Sequence, residues 1–288
     1  MKDVFFYSLL LLILSACGGG SGGSDDAGID DITEVSIDPD VPPVTNTDVY
    51  QPPVFVTWQW QLLGTVNTSY DVEIYDIDLF DSSEALIQQL QATGKKVICY
   101  FSGGSYEEWR EDAGQFPEAT LGNALDGWPG ERWLDIRSEA VSTIMLARMD
   151  LASQKGCDGV EPDNMDGYTN GSGFSLSATD QLAYNRSIAN AAHTRGLSVG
   201  LKNDLEQVSA LVSYFDFAVN EQCFEYSECD LLTPFIDAGK PVLNAEYRQD
   251  YVDDTNTRQA LCADAVNNQF STLILPIDLD DTLRFICW

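Results

Sequence analysis

Five short segments of the sequence carry acidic residues directly after runs of β-branched or aromatic residues. They span residues 75–78, 160–164, 219–221, 244–247 and 276–278, and each precedes a predicted loop. The carboxylates would therefore lie at the carboxyl ends of buried strands, where a (β/α)8 barrel builds its active site. Because ionised carboxylates are costly in a protein interior, several of them in one place indicate a function. Cleavage of a glycosidic bond by a pair of carboxyl groups is the chemistry that best fits this pattern.

Asp163 and Glu221 are the best candidates for a catalytic pair. Asp163 lies two residues after Glu161, so both side chains face the same side of a strand, and Asp166 brings a third carboxyl group to the same exit. Carboxylates this close repel one another unless a positive charge or a substrate separates them. Glu221 occupies the matching position two strands later, and carboxyl groups on separate rigid strands can serve as nucleophile and general acid/base. The structural alternatives are a turn-forming aspartate and a glutamate at a helix N-terminus.

Other residues at these strand ends are candidates for contacts with the substrate. Lys202 ends the strand between the two acids, where it could lower a neighbouring pKa or bind a hydroxyl group, although lysines more often lie on the surface. Aromatic residues near the same rim could stack on sugar rings and on protonated amino sugars, although core packing explains many of them equally well. The predicted substrate-binding residues are Trp58, Trp60, Asp76, Asp78, Tyr100, Asn164, Lys202, Glu246 and Tyr247.

Strand and helix patterns alternate along residues 51–288, which predicts the parallel sheet of an α/β protein. Strands are predicted over residues 53–62, 72–80, 96–101, 157–164, 198–203, 215–221, 241–246 and 271–276. Helices are predicted over residues 82–94, 138–155, 177–195, 205–214, 231–238 and 257–268, with a long loop rich in tryptophan and charge before residue 136. No Gly-x-Gly-x-x-Gly motif opens a helix, which argues against a dinucleotide-binding fold. Pattern and length predict a single (β/α)8 TIM barrel over residues 51–288.

The N-terminus has the features of an export signal. A basic residue, Lys2, precedes a short apolar run over residues 4–14 that is too short for a comfortable membrane span. The Leu-Ser-Ala-Cys ending resembles the lipobox of bacterial lipoproteins, in which Cys17 is acylated. An ordinary signal peptide with an incidental cysteine is the alternative. We expect an exported protein, anchored by a lipid in the bacterial envelope, and in the outer membrane because Gly18 follows the cysteine.

Residues 17–50 have the composition of a flexible linker. A Gly/Ser-rich stretch comes first, followed by an acidic, proline-bearing stretch with few aromatic residues. Such a segment cannot bury enough apolar surface to fold, and its like charges repel one another. We therefore predict a signal peptide over residues 1–16 and a disordered linker over residues 17–50, ahead of the barrel.

The chain is strongly acidic, with a formal net charge of −31 and a pI of about 4.1. This charge disfavours nucleic acid as a partner, because a phosphate backbone would be repelled. Two explanations of the charge remain equally open. It could serve solubility or a salty habitat, or it could attract a cationic substrate.

The cysteine count suggests disulfide bonds in an exported protein. Beyond Cys17 the chain has an even set of cysteines: Cys99, Cys157, Cys223, Cys229, Cys262 and Cys287. Cys223 and Cys229 could close a short loop, and Cys262 and Cys287 could join the last helix to the C-terminus. That arrangement would leave Cys99 with Cys157, although the sequence alone does not fix the pairing.

A metal site or a histidine-based triad is not expected. The sequence has no Cys-x-x-Cys motif and only one histidine, His193, so a zinc site is improbable and no cofactor is predicted. His193 lies near a predicted helix C-terminus, where its charge would favour the helix dipole. A capping role therefore fits it better than a Ser-His-Asp triad.

A set of short motifs in this order resembles glycoside hydrolase family 114. The motifs span residues 58–62, 75–78, 99–100, 104–105, 109–110, 128–131, 133–137, 158–164, 200–203, 220–223 and 246–247. The resemblance implies a TIM-barrel endo-α-1,4-polygalactosaminidase, an enzyme that cuts galactosamine-containing biofilm polysaccharide. It also implies that Asp163, in Glu-Pro-Asp-Asn, is the nucleophile of a retaining mechanism. Glu221, in Asn-Glu-Gln-Cys, would be its acid/base.

The leading hypothesis is an anchored, monomeric endo-glycosidase that acts on a cationic amino-sugar polysaccharide and touches the membrane only through its lipid. A retaining mechanism requires the two carboxyl groups to lie about 5–5.5 Å apart. Two rival hypotheses are a catalytically idle barrel that binds cationic polysaccharide and a hydrolase of a different α-linked polymer.

Overall fold

The computed structural model describes residues 38–288. The predicted signal peptide, the predicted acylation site Cys17 and the predicted linker as far as residue 37 lie outside the described residues. No helix within residues 38–288 is long and apolar enough to cross a membrane.

The sheet is a curled array of parallel strands. In chain order the strands are β1 (Trp58–Gln61), β2 (Ile74–Asp78), β3 (Lys96–Ser102), β4 (Ser105–Glu107), β5 (Leu121–Ala124), β6 (Glu131–Leu134), β7 (Gly159–Asp163), β8 (Ser198–Lys202), β9 (Phe217–Glu221), β10 (Val242–Glu246), β11 (Ser271–Ile274) and β12 (Phe285–Ile286). The sheet order is β1-β2-β3-β7-β8-β9-β10-β11-β12, and only β12 pairs antiparallel. Between β1 and β11, the amide of Leu62 donates to the carbonyl of Leu279, and Trp58 Nε1 donates to the carbonyl of Ser271.

Helices cover the outside of this sheet, which confirms the predicted (β/α)8 fold. They are α1 (Glu84–Ala92), α2 (Glu139–Lys155), α3 (Ala178–Thr194), α4 (Val208–Leu211), α5 (Cys223–Tyr226), α6 (Thr233–Asp237), α7 (Gln249–Asp253) and α8 (Thr255–Asn267). The predicted helices over 205–214 and 231–238 contain only α4 and α6, each of which follows a 3₁₀ turn. The first predicted strand is paired only over β1, because two prolines and the positive φ of Phe55 precede it.

The region predicted as a long loop after β3 contains a second, small sheet. Strands β4, β5 and β6 form an antiparallel sheet in the order β4-β6-β5 before α2 begins. Each of these strands has only three or four residues, so none shows a periodic pattern long enough to predict. This excursion rises beside the carboxyl ends of the barrel strands.

Alternate side chains of the barrel strands fill the interior. The apolar ones include Trp58, Trp60, Ile74, Ile98, Phe217, Val219, Leu243, Ala245, Leu273 and Leu275. Gly159 and Gly200 leave room for two of them, since an added Cβ would lie 2.8 Å from Ile98 Cδ1 and 2.4 Å from Phe217 Cε2, respectively. The lower interior is therefore a packed apolar core, and the inward-facing charges lie nearer the carboxyl ends.

Three disulfide bonds are present within residues 38–288. They join Cys99 to Cys157, Cys223 to Cys229 and Cys262 to Cys287. Cys99–Cys157 joins the middle of β3 to the chain just before β7, and Cys262–Cys287 joins α8 to the residue after β12. The disulfide prediction is confirmed for all six cysteines.

The last part of the predicted linker lies against the barrel. The amide of Val44 donates to Asn190 Oδ1 at 2.7 Å, and Tyr214 OH donates to the carbonyl of Val41 at 2.5 Å. His193 contacts the carbonyl of Val44 through Nδ1 and Asp216 Oδ2 through Nε2, at 3.0 and 2.9 Å. His193 lies in the last turn of α3, as predicted, and its ring also joins this segment to the barrel. The linker was predicted to extend to residue 50 from its composition. The hydrogen bonds that hold residues 41–44 use the backbone of this segment, and backbone groups leave no signal in the sequence.

Candidate active site

Lys202 lies among three carboxyl groups at the mouth of the barrel. Its Nζ is 2.9 Å from Asp163 Oδ1, 3.2 Å from Glu221 Oε2 and 3.5 Å from Glu161 Oε1. The same nitrogen lies 4.8 Å from the centre of the Trp60 ring. Burial by itself lowers the pKa of Lys202, but the carboxylates outweigh burial and raise this pKa well above its usual value. Lys202 therefore stays charged, and we call Lys202, Asp163, Glu221 and Glu161 the Lys202 cluster.

Asp163 and Glu221 face each other across this ammonium group. Because both contact one nitrogen, Asp163 Oδ1 and Glu221 Oε2 lie no farther apart than their contact distances of 2.9 and 3.2 Å combined. The two carboxyl groups therefore share one cation at the mouth of the barrel.

Two tyrosines complete the hydrogen bonding of the pair. Tyr100 OH donates to Asp163 Oδ2 at 2.9 Å, and Tyr247 OH donates to Glu221 Oε1 at 2.5 Å. Burial, followed by the neighbouring carboxylates, raises the pKa of both tyrosines well above its usual value. Both hydroxyl groups therefore keep their protons and serve as donors that fix the orientation of the two carboxyl groups.

The chain turns sharply directly after each strand that carries a member of the pair or the lysine. Asn164 after β7, Asn203 after β8 and Gln222 after β9 all have positive φ angles, of 60°, 48° and 64°. Asparagine tolerates this left-handed conformation, whereas glutamine adopts it at a cost of about 1–2 kcal/mol. Strained residues of this kind cluster at functional sites. The turns leave the last side chain of each strand at the mouth of the barrel.

A glycine turn fixes the end of β7. The amides of Gly103 and Gly104 both donate to the carbonyl of Asp163, at 2.8 and 3.0 Å. A Cβ atom at Gly104 would lie 1.8 Å from the backbone oxygen of Asn164, so only glycine fits there. The Ser-Gly-Gly-Ser sequence after β3 thus holds the backbone of the candidate nucleophile.

An open cleft of about 700 Å³ reaches Asp163, Lys202 and Glu221 from the solvent. Trp109 and Trp128, on the β4–β6 side of the cleft, are 53% and 44% exposed. Further acidic residues that line it are Asp81, Asp126, Glu131, Asp166 and Asp278. The cleft therefore combines aromatic faces with negative charge, which suits a cationic sugar chain.

Three predicted substrate contacts lie away from the cleft, because Trp58, Asp76 and Glu246 are each fully buried. Trp58 and Asp76 do point into the barrel, but they lie deeper than the cleft floor. Glu246 points the other way, since Ala245 before it faces the interior, and Glu246 Oε1 accepts a hydrogen bond from the amide of Phe224 at 2.9 Å. Sequence spacing predicts where a strand ends. It does not predict how deep in the barrel a side chain lies, or whether the side chain faces the interior or the helices.

The other predicted contacts lie at or beside the cleft. Trp60, Asp78, Tyr100, Asn164 and Lys202 line it, whereas Tyr247 stands behind Glu221. Both carboxylate oxygens of Asp78 are already bound by Arg110, at 3.0 and 2.7 Å, which makes Asp78 part of a structural ion pair.

The β4–β6 excursion brings Glu131 to the cleft, which was not predicted from the sequence. Glu131 accepts a hydrogen bond from Ser105 Oγ at 2.8 Å, and burial raises the pKa of Glu131 to about 7. Asp166, by contrast, was expected at the exit of β7, where it lines the cleft, and burial, followed by the charge of Asp163, raises its pKa to about 6. Glu131 belongs to one of the family-like motifs, but nothing in its spacing predicted that it would reach the cleft.

A pair of carboxyl groups across the mouth of a (β/α)8 barrel, in a cleft with exposed tryptophans, defines a glycoside hydrolase. The chain belongs to glycoside hydrolase family 114, whose model matches residues 40–287. A comparison with curated proteins finds no match.

Solved structures agree with this assignment. The structure of Aspergillus fumigatus Ega3 in complex with galactosamine is 44% identical, with a TM-score of 0.81, and the match covers 85% of this chain and 99% of Ega3. The glycoside hydrolase domain of PelA from Pseudomonas aeruginosa is 12% identical, with a TM-score of 0.63, over 78% of this chain and 96% of that domain. The PelA domain supports the fold alone.

Proposed function

We propose that this protein is an endo-acting glycoside hydrolase that cleaves α-1,4-linked, galactosamine-containing polysaccharide with retention of configuration. The observation that carries the proposal is the placement of Asp163 and Glu221 on either side of Lys202, at the floor of one open cleft. The galactosamine bound to Ega3, which is 44% identical to this chain, supports an amino sugar as the substrate.

In this proposal Asp163 attacks the anomeric carbon of the sugar. Lys202 and Tyr100 hold its two oxygens, at 2.9 Å each, and orient the carboxylate toward the sugar. The C–O bond to the leaving sugar breaks as the bond from Asp163 forms, which gives a covalent glycosyl-enzyme. The Asp163 side chain is 18% exposed, so it reaches the cleft while most of it stays fixed.

Glu221 supplies and then removes the protons. It protonates the glycosidic oxygen as that bond breaks, and its carboxylate then takes a proton from the water that releases the sugar from Asp163. Tyr247 and Lys202 hold Glu221 from two sides, and its side chain is 26% exposed to the cleft. When Glu221 is protonated, it turns its proton toward the leaving group because both neighbours act as donors.

The charge of the cleft favours a substrate with free amino groups. Protonated amines of the sugar can pair with the lining carboxylates and stack on Trp109 and Trp128, whereas acetylated amines carry no charge. We therefore favour the cationic substrate over the habitat explanation of the −31 net charge.

We further propose that the protein is exported and anchored in the outer membrane through an acylated Cys17. The Leu-Ser-Ala-Cys ending and the Gly/Ser-rich stretch after it support the anchor. A monomer that does not bind nucleic acid and that acts on biofilm polysaccharide is the expected form. Metabolic labelling with an alkyne-bearing fatty acid tests the anchor, since a Cys17→Ser variant should lose the label.

A reducing-end assay on partly deacetylated and fully acetylated α-1,4-galactosaminan tests the reaction. We expect oligosaccharide products from the deacetylated polymer, none from Asp163→Asn or Glu221→Gln, and wild-type activity from Glu246→Gln as the matched control. Binding without cleavage by the wild type would favour the catalytically idle barrel. Cleavage only of another α-linked polymer would favour the other rival hypothesis.

A further inference from the structure

Two carboxyl groups beneath the Lys202 ammonium have no contact with solvent. Asp76 on β2 and Glu161 on β7 are both 0% exposed, and β3 lies between their strands. The two carboxyl groups lie close enough to share a hydrogen bond when one of them is protonated. Among the described residues, no other group donates a hydrogen bond to any of their four oxygens, and the Lys202 ammonium lies 3.5 Å from Glu161 Oε1.

Such a pair cannot carry two negative charges. Burial without donors disfavours each carboxylate, and a second carboxylate at hydrogen-bonding distance disfavours it further. A hydrogen bond between two carboxyl groups also requires a proton on one of them. Glu161 is the member in contact with Lys202, so the negative charge belongs on Glu161 and the proton on Asp76. Burial, followed by the charge of Glu161, raises the pKa of Asp76 well above its usual value.

We propose that Asp76 and Glu161 share a proton and position Lys202 between Asp163 and Glu221 from below. Glu161 provides the charge that anchors the ammonium, and Asp76 provides the hydrogen bond that keeps Glu161 in place. Both are positioning residues, since neither reaches the cleft. The inference rests on the proposed function for its kinetic readout only.

The pair fits the charge balance of the site. Lys202 is the cation in contact with Glu161, Asp163 and Glu221, and a fully ionised Asp76 would add a fourth negative charge. If Glu161 were neutral as well, the attraction from Asp163 and Glu221 alone would draw the ammonium toward the cleft. The charged or titratable groups that face the pair are Lys202, Asp163, Glu221, Tyr100 and Tyr247.

Two conservative variants separate the roles of the proton and the charge. Asp76→Asn keeps a donor toward Glu161, so we expect kcat and KM within a few-fold of wild type. Glu161→Gln removes the charge under Lys202, so we expect kcat to fall about 10–100-fold with little change in KM, as when residues that orient metal ligands are removed. Glu246→Gln is the matched control, because it removes an equally buried strand-end carboxyl group without contact to Lys202.

The kinetic outcomes decide the proposal. Wild-type kcat in Glu161→Gln would overturn it, and so would an Asp76→Asn variant as impaired as Glu161→Gln, because the proton would then not belong on Asp76. If the wild type does not cleave the galactosaminan, the proposed function fails instead, and the spectroscopic test that follows still decides the pair.

Infrared spectroscopy detects the shared proton directly, with no need for substrate. At a pH at which both Glu246 and Asp204 are ionised, above their raised pKa values of about 7 and about 8, the wild type should still show the C=O stretching band of a protonated carboxylic acid. Asp76→Asn should lose that band, whereas Glu246→Gln should retain it. A band that Asp76→Asn leaves unchanged, or the lack of any band in the wild type, would overturn the proposal even if Glu161→Gln does not fold.

Discussion

Two clusters of ion pairs lie side by side at the mouth of the barrel. Each contains several carboxyl groups, but the cation is a lysine in one and a pair of arginines in the other. One is the Lys202 cluster. The other, the arginine cluster, consists of Arg110, Arg148, Asp78, Glu107 and Asp112. Arg110 binds both oxygens of Asp78, and Arg148 binds both oxygens of Asp112, at 2.8 and 2.9 Å. Their guanidinium groups also face the ring of Phe80, at 4.8 and 5.1 Å.

This difference in the cation explains why the Lys202 cluster can react with a substrate, whereas the arginine cluster only stabilises the fold. A guanidinium matches a carboxylate through two parallel hydrogen bonds, which leaves little for a substrate to replace. The Asp78 and Glu107 side chains are accordingly only 6% and 3% exposed. An ammonium is a point charge, so Asp163 and Glu221 each contact Lys202 through one oxygen only. Their side chains stay 18% and 26% exposed. The arginine cluster fixes the β4–β6 excursion, and the Lys202 cluster faces the cleft.

The largest expected effect comes from breaking the Lys202 cluster at its nucleophile. Asp163→Asn should lower kcat by roughly 10⁴-fold, because an amide cannot form the glycosyl-enzyme. Steady-state kinetics on the deacetylated polymer measures this loss, and substrate binding by calorimetry should persist. Activity within tenfold of wild type would remove Asp163 from the reaction.

Breaking the arginine cluster should affect folding instead. Arg148→Met leaves Asp112, whose side chain is only 15% exposed, without its partner and removes one of the two cations beside the buried Glu107, so the free energy of unfolding should fall by about 3 kcal/mol. Urea denaturation measures this change. Arg195→Met is the control, since Arg195 forms an exposed pair with Asp150 and should cost at most about 1 kcal/mol. Equal losses in the two variants would contradict a supporting role for the arginine cluster.

Replacing the central cation should also lower the rate. Lys202→Met removes the charge that holds both members of the pair, and we expect kcat to fall about 10²–10³-fold. Lys202→Arg should not restore activity, because a planar guanidinium does not fit the position of a point charge. Full rescue by arginine would show that only the charge matters.

The smallest expected effect concerns Glu131, which lies between the two clusters. Burial raises the pKa of Glu131 from 4.5 to about 7, so the folded protein binds a proton there that the unfolded chain releases. The contribution of Glu131 to the free energy of unfolding should therefore fall by about 3 kcal/mol as the pH rises from about 4.5 to about 7. Asp166 and Glu246, with pKa values raised to about 6 and about 7, add to the same trend, so Glu131→Gln should make it shallower in pH-dependent urea denaturation. Glu84→Gln, at an exposed position, should not, and an unchanged slope in Glu131→Gln would contradict the assignment.

The sequence predicted the parts of the site that depend on strand periodicity. Asp163, Lys202 and Glu221 end three neighbouring strands, and alternate side chains face the same side, so their meeting at the barrel mouth followed from spacing. Strand periodicity gave the wrong position for two other residues. Asp76 is fully buried below the cleft floor, and Glu246 faces the helices. Depth depends on the register between strands, and register is a property of the folded sheet.

The arginine cluster had no signal of this kind. Its members come from the β4–β6 excursion, from α2 and from β2, and they meet only through tertiary packing. The packing of residues 41–46 against the barrel could not be predicted from the sequence either, because it depends largely on hydrogen bonds to backbone carbonyls. Long-range pairs without periodicity are therefore the part of this molecule that sequence reasoning does not reach.

Trapping the reaction intermediate tests the central claim most directly. An activated fluoride of a galactosamine derivative should label the Glu221→Gln variant, since its leaving group needs no acid and release of the sugar then lacks a base. Peptide mass spectrometry should find one added sugar, localised by fragmentation to Asp163, and Asp163→Asn should take up none. A sugar on any other residue, or turnover without an adduct and with an inverted product, would contradict the account.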